Sequence, residues 1–229
     1  FISAFLFAKF LPENTNNFSY KKTETVPIQL ASENEEIAIL AGGCFWCMEH
    51  PFEDLPGVHQ VLSGFTGGKK KNPTYKEVAH GKTQHVEAVE IHFDPQKISY
   101  NDLLEILWRN IDPTDAGGQF ADRGKQYTTG IFYKNNQQKR AAEQSKKRLE
   151  DKNLFNKKII TKIIPAGKFY PAEEYHQDFF KKNYIRYRVY REGSGRDEFI
   201  KRIWGEDREY KISKTEFNGG TVPKIIYIG

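Results

Sequence analysis

The chain has 229 residues, of which 38% are hydrophobic and 14% aromatic, and a formal net charge of +5. This composition supports a packed core and excludes compositional disorder; the charge is modest, and with no motif for base stacking or groove insertion it argues against nucleic acid as a partner. Two cysteines exclude the disulfide framework of small secreted domains and leave one bond, one metal half-site or one redox pair.

The chain opens with FISAFLFAKF and no Met, which reads as a processed or truncated N-terminus. Phe1–Phe7 is largely apolar, as a signal-peptide h-region or a membrane anchor lacking its front would be, and is too short to span a bilayer. The compartment stays open between cytoplasmic and exported or membrane-associated. Leu11–Glu36 is polar, so residues 1–36 read as an apolar segment and a linker.

Ile37–Ala41 is a short apolar strand candidate ended by Gly42-Gly43, and a helix is expected from Phe45 to about Leu55, where Pro56-Gly57 stops it. Val58–Phe65 reads as a strand, a polar loop leads to a short TYKEVAHG segment, and Val86–Phe93 is the clearest strand in the chain. A helix follows with Ser99 as N-cap and Asp102 at its third position. Asp112–Gln126 is a long Gly/Asp loop, Tyr127–Tyr133 a strand, and Asn136–Asp151 a charged amphipathic helix. Lys158–Ile164 is a β-branched strand, and Pro171–Lys182 a helix with proline at its first position.

The first six elements run strand, helix, strand, strand, helix, strand. That order predicts an α+β fold, a two-layer α/β sandwich of split βαβ (ferredoxin-like) type. Residues 37–183 form the expected catalytic domain. Residues 184–229, aromatic and basic, are expected to wrap it as a long irregular C-terminal tail.

The stretch GGCFWC holds both thiols. A cysteine near the first turn of a helix faces backbone N–H groups and the positive end of the dipole, which lowers its pKa; Cys44 occupies such a place. Cys47 lies one turn along, close to disulfide geometry. Pro51 removes the helical hydrogen bond to the Cys47 carbonyl, which is expected to loosen that turn. Redox chemistry, a structural thiol pair and a zinc half-site completed by His80 and His85 are the readings open at this point. Phe45 and Trp46 suit a substrate pocket better than a metal knuckle.

Strand parity supplies a second clue. In VEAVEIHFD, Glu87, Val89, Ile91 and Phe93 share one face, which is apolar apart from Glu87. Burial would raise its pKa and suit it to general-acid work, whereas a place at the strand's start would let it reach water. Tyr75, Asp122 and Tyr127 add two uncharged donors and a loop carboxylate.

Together GGCFWCMEHPFEDLPGV, NPTYKEV, HVEAVEIHFDP, DPTDAGGQFADRGKQY and FYPAEEYHQDFF resemble the A-type peptide methionine sulfoxide reductase family, over roughly Ile37 to Asn183 and in the family's order. The resemblance implies a two-layer α/β fold and reduction of methionine S-sulfoxide, free or in proteins. It implies Cys44 as the nucleophile and Glu87 as the acid facing the sulfoxide oxygen. Tyr75 and Tyr127 match phenols that bind that oxygen, Asp122 the carboxylate that organises them, and Phe45 and Trp46 the wall of an S-methyl pocket. His176 falls in a matching block and is expected to be structural. No cofactor or metal is expected; the external reductant would be thioredoxin or another dithiol, and the protein a monomer.

Two departures qualify the match. Many members carry recycling cysteines near the C-terminus, whereas Tyr184–Gly229 contains none, which leaves Cys47 to resolve a Cys44 sulfenic acid. Thr128 follows Tyr127 where members often have Arg, so the contacts of that loop are not inherited. A general C-x-x-C dithiol oxidoreductase and a zinc-binding interaction module are the rival readings.

Overall fold

The computed structural model describes residues 34–212, so the expectations for residues 1–33 and 213–229 lie outside the described residues. The elements in chain order are β1 (Glu36–Gly42), α1 (Phe45–Glu53), β2 (Val58–Thr66), α2 (Tyr75–Ala79), β3 (Val86–Phe93) and α3 (Tyr100–Asn110). A small hairpin, β4 (Gly118–Gln119) and β5 (Asp122–Arg123), precedes a 3-10 turn at Lys125–Tyr127, then β6 (Thr129–Tyr133) and α4 (Asn136–Asp151). The chain continues with β7 (Lys162–Pro165), β8 (Tyr170–Pro171), a 3-10 turn at Glu174–His176, α5 (Phe179–Lys182), α6 (Tyr184–Gly193) and α7 (Arg196–Trp204).

The main sheet has the order β7-β6-β1-β3-β2-β8. β3 lies antiparallel between β1 and β2, β6 is antiparallel to β1, and β7 is parallel to β6. Alternation along the strands sorts the residues between two faces. Ala38, Leu40, Val89, Ile91 and Phe93 join the principal core, while Ile39, Ala41, Ala88 and Phe132 form a second cluster on the other face. Helices cover the first face: Phe45, Met48 and Phe52 of α1 and Leu103, Leu104, Leu107 and Trp108 of α3 are buried there. Each large apolar side chain so buried contributes about 2 kcal/mol before entropic losses. The coarse expectation of a mixed α/β fold therefore holds.

Capping fixes α3 as the sequence suggests: the Ser99 hydroxyl accepts from Asp102 N, and the Asp102 carboxylate accepts from Ser99 N at 2.9 Å. Ser99→Ala is expected to lower unfolding stability by about 1 kcal/mol, measured by chemical denaturation. The same device, between Thr74 and Glu77, makes a short helix, Tyr75–Ala79, within the TYKEVAHG segment, which pattern alone left unassigned.

Three expectations need correction. The Pro171–Lys182 helix is absent: Pro171 pairs with Gly64 at the sheet edge, and only the turn at Glu174–His176 and the four-residue α5 are helical. Lys158–Ile164 contributes a shorter strand that begins only at Lys162. The described part of the C-terminal extension is not an irregular tail; it is helical from Tyr184 to Gly193 and from Arg196 to Trp204. In α7 the apolar residues Phe199, Ile200, Ile203 and Trp204 recur at helical spacing, and Arg196, Ile200 and Trp204 are buried. Ile200 and Trp204 enter the principal core. None of the helices among the described residues is long and apolar enough to cross a membrane.

Candidate functional site

The strand-to-helix turn at Gly42-Gly43 sets the position of both thiols. A Cβ on Gly42 would lie 2.4 Å from the Met48 sulfur, and Gly43 has φ +89° with Gln119 Cβ 2.6 Å from where its own Cβ would be. Only glycine meets both demands, close approach and left-handed backbone. Cys44 then caps α1 without a side-chain hydrogen bond of its own to the helix, and Cys47 N donates to Cys44 O at 3.1 Å. Both cysteines are free and buried, and their thiols hydrogen-bond to each other.

The expectation of a helix-activated Cys44 is corrected here. Burial pushes the Cys44 thiol well up; the hydrogen bond with Cys47, the charge of Cys47, and the carboxyls of Glu87 and Asp122 push it further. Cys47 moves the other way, to about 7, through its hydrogen bond from Cys44 and the charges of Arg196 and Arg191 against the cost of burial. The dipole of a nine-residue helix, worth at most ~2 kcal/mol, does not outweigh burial beside two carboxyl groups.

Glu87 is 1% exposed, which decides between the two readings of its parity in favour of burial. Its Oε2 accepts from Phe45 N at 3.0 Å. Burial lifts its pKa to about 8, opposed by that N–H and reinforced by Asp122 and Cys47. It is thus a protonated acid at neutrality, held against the first residue of α1.

Phe45 is fully buried, and its ring contacts Phe65, Tyr75 and His176 with centroids 5.8, 6.1 and 5.1 Å away. Trp46 is half-buried, stacks on Phe179 at 3.7 Å, and donates from Nε1 to His176 Nδ1 at 3.2 Å. That bond leaves the His176 proton on Nε2, and burial keeps the ring neutral by lowering its pKa. The aromatic wall and the structural role foreseen for His176 are therefore joined in one contact.

Tyr75 lies at the start of α2, with its backbone N–H donating to Glu173 at 3.1 Å. Burial, then the Glu87, Cys44 and Asp122 charges, raise its phenol to about 12, which keeps it a neutral donor. Tyr127 is raised by burial and by Glu87, Tyr75, Asp122 and Cys44. The 3-10 turn that carries it is closed by Thr128, whose hydroxyl donates to Lys125 O at 2.8 Å. All six residues predicted for chemistry therefore converge in one electrostatic neighbourhood.

Asp122 has a partner outside the residues singled out in the sequence. Its carboxylate accepts a short hydrogen bond from the Tyr190 hydroxyl, and burial raises its pKa against that bond and the Arg196 charge. Tyr190 also meets the edge of Trp46 at 5.8 Å. Sequence reasoning missed Tyr190, Arg191 and Arg196 because they lie in the segment read as a tail. Arg191 answers the question raised by Pro51: the Cys47 carbonyl, deprived of its helical donor, accepts instead from Arg191 Nη1 at 3.4 Å. The freed carbonyl is docked onto α6 and is not left loose.

The zinc reading finds its imidazoles committed elsewhere. His80 Nδ1 lies 2.6 Å from Lys76 O, and His85 bonds to Gly68 N and Lys70 O through its two ring nitrogens.

Comparison with known proteins bears on the family to which the chain belongs. The sequence profile of the family described as peptide methionine sulfoxide reductase matches residues 36–208. The chain is similar to the peptide methionine sulfoxide reductase MsrA of Bacillus subtilis, 55% identical over 174 residues, covering 76% of this chain and 98% of that protein. It is also similar to that of Bacillus licheniformis, 53% identical over 178 residues, covering 78% and 98%. Among solved structures, methionine sulfoxide reductase A of Corynebacterium diphtheriae superposes with TM-score 0.60 at 32% identity, over 67% of this chain and 77% of that one. Mxr1 of Saccharomyces cerevisiae in reduced form gives TM-score 0.61 at 30% identity, over 66% and 86%. The chain belongs to the peptide methionine sulfoxide reductase family.

Proposed function

We propose that the chain reduces methionine S-sulfoxide, free or in oxidised proteins, with Cys44 as nucleophile and Glu87 as proton donor. The observation that carries this reading is a buried, protonated Glu87 that accepts from Phe45 N beside a buried thiol, with two neutral phenols and the Phe45 ring close by. A sulfoxide sulfur becomes electrophilic when its oxygen is hydrogen-bonded or protonated. Tyr75 and Tyr127 donate to that oxygen, and Glu87 gives it a proton. Cys44 attacks sulfur, oxygen passes to Cys44 as a sulfenic acid, and methionine leaves. Phe45 and Trp46 receive the S-methyl group, a contact worth ~1–3 kcal/mol of discrimination.

Cys47 then displaces water from the sulfenic acid to form the Cys44–Cys47 disulfide, which thioredoxin or another dithiol reduces by exchange. No bound cofactor enters this cycle. The finer description of the fold as a split βαβ sandwich is supported by β3 lying antiparallel between β1 and β2. A general dithiol oxidoreductase would have no use for a buried, protonated Glu87 hydrogen-bonded to the first residue of α1.

The test is a single turnover without reductant. Reduced protein mixed with a methionine sulfoxide peptide is expected to form about one methionine and one intrachain disulfide per chain, with the protein losing two hydrogens by mass spectrometry. Disulfide reduction in a model protein with no sulfoxide reduction would reject the reading.

A further inference from the structure

A buried thiol needs a base before it can attack. Cys44 is surrounded by groups that oppose its ionisation. On the other side of the pair, Arg196 is 1% exposed, yet among the described residues it has no carboxylate in ion-pair contact. It donates to the backbone oxygens of Asn110 and Gly42 (3.0 Å to the latter), lies 4.6 Å over the Phe120 ring, and keeps Nε buried with no hydrogen-bond partner. Its Nη1 is 3.7 Å from the sulfur of Met48, the residue after Cys47. Arg191, by contrast, is neutralised by Asp197, with Nε and Nη2 at 2.8 and 2.7 Å from Oδ1. A buried guanidinium stays charged and calls for an anion.

We propose that the reduced pair carries its negative charge on Cys47, with Arg196 as the counter-cation, and that the Cys47 thiolate takes the Cys44 proton as Cys44 attacks the sulfoxide sulfur. This rests on the reading of Cys44 as nucleophile given above. Cys47 then acts twice, first as base and then as resolving thiol, and Arg196 is a positioning residue. In the first step the sulfoxide S–O bond breaks and a Cys44 S–O bond forms. The Cys44 proton goes to Cys47 and the Glu87 proton to the transferred oxygen, so the negative charge moves from Cys47 to Glu87. In the second step the Cys47 thiol meets the Cys44 sulfenic acid; an S–S bond forms, the S–O bond breaks, and the Cys47 proton leaves with hydroxide as water.

The groups that face Cys47 favour this assignment in balance. Tyr187, Tyr190 and Arg191 come from α6, Arg196 from α7, Asp122 from β5, Glu87 from β3 and Cys44 from the head of α1. Glu87 is protonated and both phenols are pushed up, so Asp122 is the opposing anion, and it is held by Tyr190.

The experiment is rapid-quench first turnover of a methionine sulfoxide peptide across pH, with ultraviolet thiolate absorbance of the reduced protein. Wild type is expected to lose rate as pH falls through about 7, where Cys47 gains its proton. Cys47→Ser should still approach one methionine per chain, but about 10²-fold more slowly near neutrality and without that limb. Arg196→Gln should move the limb and the thiolate absorbance to higher pH while still forming the disulfide, and Arg196→Lys should move both part of the way back. If Arg196→Gln does not fold, Cys47→Ser decides, since serine replaces sulfur by oxygen at constant shape. A Cys47→Ser first turnover as fast as wild type, or neutral thiolate absorbance that survives in it, overturns the proposal. Failure of wild type itself to form methionine would strike the proposed function and not the assignment of the base.

Discussion

Cys44→Ser is expected to abolish methionine formation, while Cys47→Ser is expected to release about one methionine per chain at long times and then stop. The contrast follows from what each sulfur must do. A serine hydroxyl in the Cys44 position ionises several units higher than a thiol and is a far poorer acceptor of oxygen, so the S–O transfer has no route. Serine at position 47 leaves that transfer possible but cannot close a disulfide. The Cys44 sulfenic acid then persists, open to trapping by a carbon nucleophile and to rescue by a small external thiol. No second thiol is available to replace Cys47, because the chain contains no other cysteine. Equal loss of the methionine amplitude in both variants would mean that Cys47 is required for the transfer itself, and the division of labour would fall.

The parts legible in the sequence were those carried by local patterns. The period of two in β3 located Glu87 on the core face, the two glycines located the turn before Cys44, and Ser99 with Asp102 located the start of α3. Pattern failed where tertiary contact replaced it. In α7 the apolar stripe of Phe199, Ile200, Ile203 and Trp204 was there to be read, whereas the burial of Arg196 depends on contacts with Gly42 and Asn110 and carried no local signal. The ionisation of Cys44 failed similarly. The helix start is a local feature, but the burial and the carboxyl groups of Glu87 and Asp122 that outweigh it arrive from β3 and β5, over forty residues away. Asp122 was found by resemblance, and its partner Tyr190, on a helix hidden among basic and aromatic residues, had no signal of its own.

Glu87→Gln is expected to slow the first turnover by about 10²–10³-fold while leaving reduction of the preformed Cys44–Cys47 disulfide by a dithiol nearly unchanged. Glutamine keeps the shape, and its amide can still donate a hydrogen bond to the sulfoxide oxygen, but it cannot transfer a proton as the S–O bond breaks. The Phe45 N–H that meets Oε2 at 3.0 Å supports this role, since it stabilises the carboxylate left after the proton has gone. The wild-type rate should also fall as pH rises through about 8, where Glu87 loses its proton, and Glu87→Gln should lack that limb. Stability supplies the control. Because the folded pKa is raised to about 8 from the ordinary 4.5, the native protein holds a proton that the unfolded chain releases. Wild-type stability therefore declines as pH rises from about 4.5 to about 8, the window between those two values. Glutamine does not ionise, so the variant should show a shallower decline in denaturant unfolding measured across the same pH range. A variant that turns over slowly yet unfolds no more easily at pH 8 separates a missing proton from a damaged core. Undiminished first turnover in such a folded protein would remove Glu87 from the chemistry.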